Sequence, residues 1–225
     1  MTVHQDKALV LLSGGQDSTT CLYWAIDRFG QDAVSAISFD YGQRHRIELE
    51  CAETIAADAG VAYCCLPIDT FAALGGDALT DPSVDVGNDV YPSTDLPNTF
   101  ILGRNLVFLT YAAAHAYQLG IDHLVTGVAQ TDYSGYPDCR QQTMESLQET
   151  LRLGMESKIQ IHAPLMDRSK KETVELARDL GVLNVMARTH TCYNGKRPPC
   201  GECPACRLRA KGFAEAGIED PLEIA

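Results

Sequence analysis

The chain has 225 residues, 45% of them hydrophobic, which is enough for one substantial core with at most a small appendage. Its 30 acidic and 18 basic side chains leave a formal charge of -12. That excludes the broad basic surface that supplies most nucleic-acid affinity and favours a small-molecule substrate. The opening stretch, MTVHQDKALVLLSGG, carries an apolar run at residues 8–12. The run is too short for a signal-peptide core or a membrane span, so a cytoplasmic protein is expected.

That run reads as a buried strand, SGGQDS as a loop, and TTCLYWAIDRFG as a helix stopped by Gly30. AVSAISF then suggests a strand and RIELECAETIAADAG a helix ending at Gly60, followed by the strand AYCCLPI. After residues 69–100, rich in Gly, Pro, Asp and Asn, come NLVFLTYAAAHAYQLG, HLVTGV, MESLQETLRLG, KIQIHAPL and KKETVELARDLG. Strands alternating with helices predict an α/β, Rossmann-like doubly wound parallel sheet with helices on both faces. A segment as long as 69–100 reads as a lid or a mobile loop. From about Arg188 the alternation stops, so an α/β domain over 1–187 and a metal-binding tail over 188–225 are expected.

In open α/β sheets the first βα turn is the usual phosphate site, because the next helix presents unpaired N–H groups and a partial positive charge. SGGQDS occupies that turn. Gly14 and Gly15 can aim backbone N–H groups inward, and Ser13 and Ser18 add hydroxyls. Leu11, Leu12, Ser13, Gly14, Gly15, Gln16, Asp17, Ser18 and Thr19 together form the candidate nucleotide-binding stretch. Neither GxxxxGK[ST] nor GxGxxG is present. The bland alternative is a Gly-Gly turn before a helix capped by Asp17 or Ser18.

Of nine cysteines, Cys192, Cys200, Cys203 and Cys206 crowd the segment CYNGKRPPCGECPAC. Four thiolates in a turn-rich segment suit a closed structural zinc site. CxxCxxC spacing also serves iron–sulfur clusters, and buried reduced thiols are the simplest alternative.

SGGQDS resembles the SGGxDS pyrophosphate loop of the ATP-pyrophosphatase (PP-loop) superfamily, whose members split ATP between the α- and β-phosphates. Taken with FDYGQRHRIE, LGRN, DYSGYPDCR and the TCYNG…CGECPAC tail, it resembles the 7-cyano-7-deazaguanine synthase family of queuosine biosynthesis, over residues 8–213. Leu102 stands where that family's pattern has proline.

The resemblance implies a ligase that adenylates a 7-carboxy-7-deazaguanine with ATP, lets free ammonia form the amide, and activates the amide again to leave a nitrile. It also implies Mg²⁺ near Asp17, structural zinc, a homodimer, and no direct nucleic-acid or membrane partner. Asp132 or Asp138 is expected at the amino edge of the base and Tyr133 or Tyr136 on its face, with Arg104 and Lys170 in the site. Arg44, His45 and Arg46 are further candidates for phosphate or carboxylate. Cys139 invites a nucleophilic role, but an adenylate mechanism does not need one and a packed thiol is the better reading. Two rivals are a tRNA thiolation enzyme, which should show a basic face and a catalytic cysteine pair, and a nonenzymatic nucleotide-binding module.

Overall fold

The computed structural model of the chain describes residues 6–81, 83–86, 96–131 and 136–222. Five strands, β1 (Ala8–Leu11), β2 (Val34–Asp40), β3 (Ala62–Pro67), β4 (His123–Val125) and β5 (Gln160–His162), lie in the order β3-β2-β1-β4-β5. Every pairing is parallel. Parallel neighbours need crossovers, here containing α1 (Gln16–Phe29), α2 (Ile47–Asp58), the short α3 (Thr70–Leu74) with α4 (Arg104–Leu119), and α5 (Gln141–Gly154). After β5 come α6 (Lys170–Asp179) and α7 (Pro204–Ala216), the latter inside the tail that the sequence left without regular structure.

The strands read as unbroken apolar runs because both faces are buried. On one face Leu9, Ile37 and Leu124 pack against Leu109 and Ala112 of α4 and Met144 and Leu151 of α5. On the other, Val10, Ala36 and Val125 pack against Leu22 and Ala25 of α1 and Ala52 and Ile55 of α2. The chain steps outward from β1 to β3, then returns to place β4 on the other side of β1. That reversal opens a crevice at the carboxyl ends of the strands, where such sheets bind ligands. The described residues include no helix long and apolar enough to cross a membrane.

α7 is anchored by a buried cation. Arg209, 4% exposed, reaches Asp220 through two hydrogen bonds of 2.6 and 2.7 Å, and also bonds Thr189 Oγ1 at 2.7 Å and the Met186 carbonyl at 3.1 Å. A buried charge is tolerable when its donors are satisfied in this way. Phe213 of α7 packs with Val174 and Ala177 of α6 and with Met186, fixing the tail to the sheet domain.

Beneath the α1 face, His123 Nδ1 of β4 lies 3.0 Å from His162 Nε2 of β5, with Phe29 stacked 5.0 Å from the His123 ring. Burial, then the neighbouring His123 and Arg28, push the His162 pKa down to about 4. The unfolded chain, with an ordinary histidine near about 6.5, therefore binds the proton more readily. Stability should be intact above about pH 6.5 and fall as the pH drops toward about 4. His162→Gln is expected to flatten that part of the melting-temperature profile, and an unaltered profile would exclude the pair as its cause.

Candidate active site

One cavity of about 1000 Å³ occupies the crevice. Its floor is the end of β1 and the loop after it, where Leu11, Leu12, Ser13, Gly15, Gln16, Asp17 and Ser18 all line the wall. Gly15 is the N-cap of α1 with extended angles, φ -83° and ψ 168°, so the amides of the first turn have no partners within the helix. Ser13 and Ser18 are tied together, Oγ to Oγ at 3.0 Å, and Ser18 Oγ also donates to the Gly15 carbonyl at 3.1 Å. These bonds hold the loop in shape before any ligand arrives.

Gly14 and Thr19 do not line the cavity; they support it. Thr19 Oγ1 donates to the Gly15 carbonyl at 2.8 Å. Gly14 has φ +82°, and a Cβ there would lie 2.1 Å from the Glu48 carbonyl oxygen of α2. Gly127, just past β4, makes the second close approach, since its Cβ would lie 3.1 Å from the Ser18 amide nitrogen. At Asp17, Oδ2 accepts from Lys170 Nζ at 2.5 Å, while the buried Oδ1 has no hydrogen-bond partner. A capping box between Ser169 and Glu172 sets the first turn of α6 and so aims Lys170.

The far end of the cavity is aromatic. Arg104 opens α4 after Gly103, which takes left-handed angles at φ 74°. Its guanidinium lies 5.7 Å from the Tyr41 ring centroid and 6.0 Å from that of Phe108, and Nη1 is 3.4 Å from the Tyr41 hydroxyl. Burial works against the Arg104 charge, but the surrounding Tyr41, Tyr136 and Tyr193 hydroxyls and the Asp138 carboxylate outweigh it, so it stays a cation. Tyr136 donates to or accepts from Thr99 Oγ1 at 2.7 Å, and its ring stacks on Phe100 at 5.1 Å. Burial pushes the Tyr41 and Tyr136 phenols upward, keeping both neutral.

Asp138 does not line the cavity. It is 4% exposed, and its Oδ2 accepts from the Asn105 amide at 3.0 Å, placing a carboxylate at the positive end of α4. Asn105 Nδ2 in turn lies 3.3 Å from Cys139 Sγ, a lining atom. Asp132 and Tyr133 lie outside the described residues. Of the basic trio, His45 lines the cavity, with Nε2 3.3 Å from Glu48 Oε2. Arg44 bonds the Asp81 carbonyl at 3.4 Å, and Arg46 pairs with Asp40 at 2.6 Å; neither lines the cavity.

The four tail cysteines converge, their sulfurs all within 4.8 Å of one another, and could hold a metal ion. Cys200 Sγ and Cys206 Sγ are 3.9 Å apart, close to the roughly 3.8 Å edge of a tetrahedron with 2.3 Å metal–sulfur bonds. The Cys206 thiol donating to it pushes the Cys203 pKa down to about 5 and drives Cys206 itself upward. The centre adjoins the cavity. The His190 amide donates to the Gly14 carbonyl at 2.9 Å, and the His190 ring is 2.8 Å from the Cys192 carbonyl. Thr191 and Tyr193 line the cavity on either side of Cys192.

Tyr41, Phe108, Gly127, Thr191, Tyr193 and the cavity-facing residues of α7 escaped the sequence reading. Gly127 was the findable one, since a glycine directly after a core strand signals close backbone approach.

Residues 7–217 match the family model described as queuosine biosynthesis protein QueC. A relative from Chromobacterium violaceum called 7-cyano-7-deazaguanine synthase is 65% identical over 96% of this chain and 93% of its own length. One of the same name from Laribacter hongkongensis is 65% identical over 96% and 94%, and one from Clostridium acetobutylicum is 48% identical over 96% of each. A solved Methanocaldococcus jannaschii chain, described as a predicted subunit of tRNA methyltransferase, is 21% identical with a TM-score of 0.50, covering 77% of this chain and 74% of that one. That last likeness speaks to the fold alone.

Proposed function

Because the chain belongs to the family of queuosine biosynthesis protein QueC, we propose that it joins 7-carboxy-7-deazaguanine to ammonia at the expense of ATP and carries the product on to 7-cyano-7-deazaguanine. The observation that carries this reading is the continuity of one cavity from the SGGQDS amides to the Arg104 guanidinium. A carboxylate is a poor electrophile, and turning it into a nitrile requires the same carbon to be activated twice. One cavity with a phosphate cradle at one end and an anion-binding, aromatic end at the other suits both activations.

In this account the unpaired amides at the start of α1 bind the phosphates. The neutral phenols and Phe108 face the flat base, and Arg104 orients the carboxylate toward the α-phosphorus. Carboxylate oxygen attacks that phosphorus, pyrophosphate leaves, and ammonia then displaces AMP to give the amide. The amide oxygen attacks a second ATP, and loss of the second AMP with two protons leaves the nitrile. Asp138 acts through α4, holding Arg104 and Asn105 in place.

The unpartnered Oδ1 of Asp17 fits a Mg²⁺ ligand. Bound there, the ion would neutralise phosphate charge while Lys170 holds the other carboxylate oxygen. The tetrahedral dimensions and thiolate donors suit structural zinc, with all four positions filled by protein.

Mass spectrometry of the product formed from the 7-carboxy base, ammonium, Mg²⁺ and ATP tests the assignment. A nitrile supports it, and recovery of unchanged acid refutes it. Arg104→Gln is expected to raise KM for the acid roughly 30-fold or more, through loss of a charge-assisted contact, with KM for ATP nearly unchanged. Equal effects on both would remove Arg104 from the carboxylate.

A further inference from the structure

The cavity has a wall that does not come from the sheet domain. α7 packs so closely on α6 that a Cβ on Gly212 would lie 2.8 Å from Lys170 Cβ. Lys170 in turn grips Asp17 of the phosphate loop. The α7 residues that line the cavity therefore meet it at its phosphate end. Among them are Arg207, Leu208 and Lys211, at i, i+1 and i+4 along one edge of the helix.

Both cations are exposed. Lys211 makes a loose pair with Glu215, 3.8 Å apart with 67% of the lysine side chain exposed, an interaction weak enough to give up. A nucleoside triphosphate brings several negative charges to a chain that already carries -12. Inside the loop, the Lys170 charge is engaged by Asp17. More positive charge is needed at that end, and α7 presents it.

We infer that Arg207 and Lys211 clamp the β- and γ-phosphates of the nucleotide from the α7 side, and hold the pyrophosphate that departs. The inference rests on the nucleotide reading of the loop. It gives the tail a direct part in the site beyond fixing the metal, because the helix that starts at the third and fourth cysteines also supplies the clamp. The contacts are electrostatic and solvent-exposed, so their contribution should shrink as salt rises.

Calorimetric titration of the metal-loaded, full-length protein with Mg-ATP, AMP and pyrophosphate tests the clamp. Arg207→Gln and Lys211→Gln should each weaken ATP and pyrophosphate binding about tenfold, the scale of one charge-assisted hydrogen bond. AMP affinity, metal content and melting temperature should not move. Arg178→Gln, an exposed cation of α6 outside the cavity, should change none of these. Unchanged ATP affinity in the double variant would overturn the inference, as would parallel losses of ATP and AMP, which would mean a displaced helix. A wild-type protein that binds neither nucleotide would overturn the loop reading itself, a result distinct from both.

Discussion

Gly14→Ala is expected to weaken Mg-ATP binding at least about 100-fold, the cost of about an ångström of misplacement in a reacting geometry. Two independent obstacles meet at this residue. Its φ of +82° is one that alanine adopts only under strain. Its new Cβ would also stand 2.1 Å from the Glu48 carbonyl oxygen and 2.8 Å from the Ala52 amide nitrogen. Both neighbours are backbone atoms of α2, which packs into the core through Ala52 and Ile55. The helix cannot yield, so the loop must.

Gly15 differs although it is the adjacent glycine. Its φ is -83°, and a Cβ there would approach the His190 carbonyl and Ser13 Oγ at 3.4 Å, ordinary contact distance. Gly15→Ala should therefore cost less than about tenfold. Titration calorimetry of the two variants against Mg-ATP checks the contrast. Wild-type affinity in Gly14→Ala would show that the loop is no phosphate cradle.

Cys203→Ser, or extraction of the metal with a chelator, should have the second large effect. A four-thiolate zinc site in a small segment carries about 10–16 kcal/mol of apparent binding free energy that is also folding free energy. Loss of one ligand should release the metal and loosen 189–206, with a melting temperature lower by more than about 10 °C, well beyond the shift from about 1 kcal/mol. The damage should reach the nucleotide, because the His190 amide that holds Gly14 at 2.9 Å sits two residues before Cys192. Cys65→Ser, at an exposed cysteine outside the cluster, serves as the control and should be silent. Metal analysis, thermal unfolding and ATP titration on the same samples check this. Metal-free protein with full ATP affinity would break the proposed link.

The residues that sequence made legible were those whose local physics suffices. Ala8–Leu11 is buried on both faces, which an unbroken apolar run reports directly. SGGQDS sits where an α/β sheet places its phosphate site, and CxxCxxC brings its ligands together within one turn-rich segment. α7 was not legible because its buried positions are Cys206, Arg209, Gly212 and Phe213, so the inward face is mostly not apolar and leaves no hydrophobic period. Arg209 is inside only because Asp220, Thr189 and Met186 are brought to it. The same holds for Tyr41 and Tyr193, which flank the far end of the cavity from opposite ends of the chain. Asp138 shows the complementary failure. The sequence placed it against the base, whereas its carboxylate faces the first turn of α4 through the Asn105 amide, a pairing that only tertiary structure creates.

The central claim is that a single cavity adenylates one carbon twice. It is tested most directly by supplying the 7-carboxy base with both carboxyl oxygens labelled as ¹⁸O, together with ammonium, Mg²⁺ and ATP, and following the label by mass spectrometry. Two AMP per nitrile are expected, each carrying one ¹⁸O, with no label in pyrophosphate. Label in inorganic phosphate alongside ADP, or a nitrile formed without labelled AMP, would contradict the account.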